Sequence, residues 1–143
     1  MPAEEVPSTG AQGSVKKFAH DFTVEANDID VMGHVNNVVY VQWIQDVAAK
    51  HWMARASVEQ IADVRWVVVR HEIDYLRPAF LGEHLIAHTW VGAATAATYE
   101  RFTEIARSGD EKIIVRARSV WCPVNAETKR PRRVDAEMRA RFE

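Results

Sequence analysis

From residue 15 to 27 the chain (VKKFAHDFTVEAN) alternates loosely between apolar and polar positions, with Phe18, Phe22 and Val24 on one parity. A period of two is what a strand with one buried face requires, so a strand is predicted here. The pattern breaks at DIDVMGH. Asn36 or Asn37 then offers a side-chain oxygen to cap a helix that continues through VVYVQWIQDVAAKHWMARA. Tyr40, Trp43, Ile44, Val47, Ala48 and Trp52 recur along it at helical spacing. Val38, Val39 and Val41 add apolar surface on other sides of the first turns, which predicts a helix buried over more than one stripe, as one wrapped by a sheet would be.

A polar connection around Ser57 to Asp63 leads into three runs rich in β-branched and aromatic residues: VRWVVVRHEIDYL, EHLIAHTWVGAAT and ATYERFTEIA. Arg107 to Glu111 (RSGDE) reads as a hairpin turn in which Gly109 supplies the positive φ, and KIIVRARSVWCPV is the answering strand. Beyond Pro131, Asp135 is placed to cap a short charged helix. The predicted order is strand, long helix, four strands, short helix, which is an α+β layer architecture.

A length of 143 residues suits one domain, expected over residues 15–143, with residues 1–14 a disordered lead-in lacking the apolar core of a signal peptide. A net charge of -2 gives no footprint for DNA or RNA and no polybasic membrane anchor. No apolar run approaches the roughly 20 residues needed to insert through a bilayer, and the single cysteine makes no internal disulfide. A cytoplasmic location follows as the expectation.

Polar groups concentrate in Asp28-Ile-Asp30-Val-Met-Gly33-His34-Val-Asn36-Asn37, which joins a strand end to a helix start. A helix start presents unpaired N–H groups and the positive end of the helix dipole, so it can polarise a carbonyl and hold an oxyanion. Gly33 lets backbone approach closely. Asp30 lies seven residues ahead of Asn37, where it can be folded back to attack a carbonyl or to activate water. A thioester suits a single acid, because its leaving thiol has a pKa near about 8.5 and departs without the general acid that an amide needs. On spacing alone, Asp30 and Asn36 serve equally well to cap and brace the turn.

DIDVMGHVNNVVYVQW resembles the signature D-x-D-x-x-G-x-V-x-x-x-x-Y of the 4-hydroxybenzoyl-CoA thioesterase-like, acyl-CoA thioesterase branch of the hotdog-fold thioesterase superfamily. DYLRPAFLGEHL (residues 74–85) is similar to that family's second hallmark, and WCPVNAETKRP to its last strand and exit. The resemblance spans about residues 16 to 135. It implies a curved antiparallel sheet wrapped around a long central helix, and subunits paired through their sheets as a homodimer or a dimer-based tetramer or hexamer. It also implies hydrolysis of an acyl-CoA or acyl-carrier-protein thioester with no metal or organic cofactor. Carried over by position, Asp30 matches the nucleophile or general base and Asn37 the backbone N–H that faces the thioester oxygen. His34 matches a catalytic or orienting histidine of the carrier-protein thioesterases, whose asparagine is replaced here by Met32 and whose later glutamate or cysteine has no counterpart beside Pro78 and Ala79. Gly33, Tyr40 and Trp43 match as well, and with Val38 and Val41 they are the expected substrate-binding residues.

Other features weigh less. Cys122, in a strand bounded by Pro123, reads as an inert core thiol rather than a nucleophile. His84 and His88 share a strand face but lack the third ligand a zinc site wants, so no metal is expected. Lys129-Arg130-Pro131-Arg132-Arg133 reads first as a solvated basic strip, and second as a contact for the phosphates of CoA or for an acidic carrier protein. Asp46 and His51 receive no role. No G-x-S-x-G elbow is present. Two rivals stand beside hydrolysis: a hotdog module that binds acyl-CoA or an acyl carrier without cutting it, and hydratase or dehydratase chemistry with His34 as base.

Overall fold

Alternation along five segments and helical spacing along one produce a single sheet with a long helix laid against it. The structure is a computed structural model describing residues 16–143, so the lead-in expected over residues 1–14 lies outside the described residues. In chain order the elements are β1 (Phe18–Thr23), a 3-10 turn (Ala26–Asp28), α1 (Asn37–Arg55), α2 (Val58–Asp63), β2 (Val64–Tyr75), β3 (His84–Ala94), β4 (Tyr99–Arg107), β5 (Ile113–Asn125) and α3 (Ala136–Phe142). The strands form one antiparallel sheet in the order β1-β3-β4-β5-β2, which leaves β1 and β2 at its edges.

Parity decides which side chains meet α1. Leu85, Ala87 and Thr89 of β3, Tyr99, Arg101, Thr103 and Ile105 of β4, and Val115, Ala117 and Ser119 of β5 are all buried. The alternate residues carry an ion-pair ladder on the other face, with Arg116 to Glu104 at 3.2 Å and Arg118 to both Glu100 and Glu72. In β2 the run of valines would send every later side chain to the wrong face, but Val69 is bulged out between Val68 and Arg70. Trp66 and Val68 before the bulge and His71 and Ile73 after it therefore all lie half-buried.

Several sequence expectations change here. The connection at Ser57 to Asp63 contains a helix, closed by a capping box in which Ser57 Oγ accepts from Gln60 N–H and Gln60 returns the bond. The left-handed residue of the β4–β5 turn is Glu111 (φ 61), not Gly109, because the turn closes one step later through the Glu111 N–H to the Arg107 carbonyl. Helix α1 buries one stripe (Tyr40, Ile44, Val47, Ala48, His51) rather than several, since one sheet face covers only one side of it; Val38 stands 68% exposed. Cys122 is half-buried rather than in the core. Asp135 does cap α3, accepting from Met138 N–H, and this charged helix docks Met138 and Phe142 into the interior.

Where α1 ends, the core contains a polar layer. His51 is 1% exposed and Arg101 8%; Arg101 Nη1 lies 2.9 Å from His51 Nδ1 and 3.0 Å from Thr89 Oγ1. A guanidinium only donates, so Nδ1 accepts and the imidazole proton sits on Nε2. Phe18 stacks on the imidazole and Phe142 meets it edge-on. Burial, then the charges of Arg101 and Arg55, push the His51 pKa down to about 3.

The unfolded chain binds a proton at His51 below its ordinary 6.5 while the folded chain does not until about 3. Stability from this group is complete above pH 6.5 and declines as pH falls toward 3, with a slope approaching about 1.4 kcal/mol per pH unit. Denaturant titrations of wild type and His51→Gln are expected to show their stability difference level above pH 7 and shrinking below pH 6. A difference independent of pH would mean that folded His51 titrates normally.

Candidate active site

The polar segment between β1 and α1 folds into a small closed loop. Ile29 and Val35 pair as an antiparallel bridge, Asn36 N–H donates to the Asp28 carbonyl (2.9 Å), and Asp30 N–H donates to the His34 carbonyl (2.9 Å). Within the turn, Gly33 N–H donates to the Asp30 carbonyl and Gly33 takes φ 89, a left-handed value that side-chain-bearing residues resist. Asp30 Oδ1 accepts the Met32 N–H at 2.8 Å, and among the described residues no protein group engages Oδ2. The bracing and the catalytic readings of Asp30 are thus compatible: one oxygen closes the turn and the other is left over.

Asn36, not Asn37, is the helix cap, its Oδ1 accepting from Val38 N–H at 3.1 Å. Asn37 is the first helical residue, and among the described residues nothing accepts its N–H. The first turn of α1 carries no acidic side chain, so the positive end of the helix is not neutralised from within. That leaves an exposed donor and an uncancelled dipole at the place where the sequence pointed.

A second loop, residues 76–83, holds the first in position. Val35 N–H donates to the Ala79 carbonyl (2.9 Å), and Ala79 N–H donates to the Tyr40 hydroxyl (3.2 Å). Tyr40 is therefore a buried strut between α1 and this loop, and burial raises its phenol pKa. Trp43 packs half-buried against Phe22 and Tyr40, Val41 is half-buried, and His34 meets Phe80 edge-on at 5.8 Å. Arg107 pins the loop, with Nε on Glu83 (2.8 Å) and Nη2 on the Pro78 carbonyl (2.9 Å).

Asp30, Gly33 and His34 thus share one turn directly before Asn37, whereas the Asp30 and His34 side chains make no hydrogen bond to each other. Phe80, Glu83 and Arg107 carry no site role in the sequence pattern; the available signal was the LRPAFLGE hallmark, whose Gly82 also takes a positive φ (84). Val31, Met32, Val38, Phe80 and Leu81 are large apolar side chains exposed around these two loops.

A model of the thioesterase-like superfamily matches residues 24–142. Two uncharacterised Mycobacterium tuberculosis proteins, from strains CDC 1551 and H37Rv, are each 29% identical over 125 residues, covering 87% of this chain. The chain spans about half the length of these curated relatives (48%). Among solved structures, a 1,4-dihydroxy-2-naphthoyl-CoA thioesterase from Synechocystis superposes with a TM-score of 0.75 at 17% identity, covering 87% of this chain and 94% of the other. A probable thioesterase from Escherichia coli gives 0.76 at 19% identity over 86% and 94%. A Staphylococcus aureus protein solved in complex with CoA gives 0.77 at 15% identity over 89% and 82%. The shared fold is the hotdog fold, a long helix against a curved antiparallel sheet.

Because a Cβ at Gly33 would meet no atom within 4 Å, a substitution there isolates the backbone cost. Gly33→Ala is expected to lower stability by about 1–2 kcal/mol, and Gly33→Asn by less, in urea titrations. Equal stability of wild type and Gly33→Ala would contradict the left-handed turn.

Proposed function

The chain belongs to the thioesterase-like superfamily, and from that premise we propose that it hydrolyses acyl-CoA or acyl-carrier-protein thioesters at the turn before α1. The observation that carries the reading is that the closed turn holding Asp30, with one carboxylate oxygen unengaged among the described residues, leads through Val35 and Asn36 into a helix start whose Asn37 N–H is unpaired. Asp30 either attacks the thioester carbonyl, expelling thiolate and leaving a mixed anhydride for water to cleave, or removes a proton from the attacking water. Either route places negative charge on the carbonyl oxygen, which the Asn37 amide and the α1 dipole stabilise. His34, braced by Phe80, orients substrate or acid. The CoA bound by the Staphylococcus aureus protein of the same fold supports CoA as the carrier. Val38, Val41 and the exposed apolar side chains of the two loops line the approach of the acyl group, with Tyr40 and Trp43 shaping its floor.

Purified protein mixed with short, long and aryl acyl-CoAs and a thiol reagent is expected to release thiol above the uncatalysed rate. Asp30→Asn is expected to lower kcat by at least about a hundredfold with little change in KM, as befits a group acting in the transition state. Near-normal turnover by that variant rejects Asp30; binding of acyl-CoA by wild type without thiol release favours a non-catalytic module.

The enzyme is proposed to work as a homo-oligomer. Edge strand β2 exposes Val67 and Val69, and the side of α1 away from the sheet exposes Val38 and Met53. An uncovered edge and apolar surface of this kind are ordinarily buried by a second copy. Light scattering is expected to give a multiple of 16.3 kDa at working concentration; a monomer would contradict the pairing.

A further inference from the structure

A cavity lies toward the C-terminal end of α1, remote in sequence from the Asp30 turn. Its walls are Trp52 of α1, Trp66 of β2, Tyr99 and Arg101 of β4, Trp121 of β5 and Phe142 of α3, and its volume is roughly 180 Å³. An apolar cavity of about 150 Å³ suffices for a benzene-sized ring. Flat aromatic walls favour a flat guest.

The polar groups of this cavity are unbalanced. Arg101 is buried yet has no carboxylate partner: its side-chain bonds among the described residues run from Nη1 to neutral His51 and to Thr89. The indole N–H groups of Trp66 and Trp121 are buried without any acceptor. The acidic group nearest in the lining, Glu100, is already engaged by the Ala93 N–H at one oxygen and by Arg118 at the other, and the Tyr99 hydroxyl donates to Glu143. A buried cation and two orphaned donors thus belong to residues that line one cavity, and a carboxylate supplies only acceptors and the opposite charge.

We propose that this cavity binds a one-ring aromatic carboxylate, with the ring between the tryptophans and the carboxylate on Arg101. The assignment does not rest on the hydrolytic reading. If both hold, the site takes a free aromatic acid, or the acidic far end of an acyl group.

Trp52, Trp66 and Trp121 report occupancy through their own fluorescence. Titration of the full chain with benzoate is expected to give a saturable change, with benzamide, the neutral isostere, binding at least roughly tenfold more weakly. Arg101→Met is expected to abolish the preference for benzoate, while Asp30→Asn leaves it intact, which separates this site from the proposed catalytic one. Should Arg101→Met fail to fold, the benzoate-to-benzamide comparison on wild type decides alone. Equal affinity for the two compounds, no saturable response to either, or a preference that survives in folded Arg101→Met would overturn the proposal.

Discussion

The backbone pairing of Asp28 and Ile29 with Val35 and Asn36 is the constraint on which the candidate site depends. Seven residues of extended chain reach roughly 24 Å, so nothing in the sequence alone brings Asp30 back alongside the segment that leads into α1. The Ile29–Val35 bridge and the Asn36–Asp28 bond fold that length back on itself. Gly33 supplies the one left-handed step the reversal needs, and the Asn36 cap starts the helix immediately afterwards. Everything else nearby reinforces this: Ala79 bonds to both Val35 and Tyr40, and the Glu83–Arg107 pair holds the loop that carries Ala79.

The two ends of α1 face different electrostatic problems. At its start, the unpaired Asn37 N–H and the dipole produce positive potential with no acidic side chain in the first turn to consume it. Toward its end, His51 is kept neutral by burial and accepts from Arg101, which leaves a guanidinium inside the protein without a counter-charge. Both ends therefore present positive charge that no protein carboxylate neutralises among the described residues, the first at an exposed helix start and the second in a partly open cavity lined by aromatic side chains.

The architecture was largely legible because periodicity is a local property. Phe18, Phe22 and Val24 do share the inner face of β1 and its continuation, and the four later strands fall within two or so residues of where β-branched runs begin and end. What depended on specific partners was not. Ser57 and Gln60 are polar, and only their reciprocal bonds turn a connection into α2. The Val69 bulge has no signature within a run of three valines, and Glu111 took the turn conformation that Gly109 was expected to hold. At the site, the D-x-D-x-x-G segment marked the right turn, but nothing in it disclosed that Met32 N–H claims one oxygen of Asp30 or that Tyr40 spends its hydroxyl on Ala79. Arg101 and His51 went unassigned because their meeting joins residues 50 positions apart.

The central claim concerns where a thioester carbonyl comes to rest. It is tested most directly by a crystal structure of the protein with an acyl-CoA analogue whose thioester sulfur is replaced by methylene, which keeps the carbonyl but prevents cleavage. The account predicts the carbonyl oxygen within about 3 Å of the Asn37 nitrogen and an Asp30 oxygen facing the carbonyl carbon, directly or through one water. A carbonyl bound away from the start of α1, with Asp30 turned only toward its own loop, would contradict it.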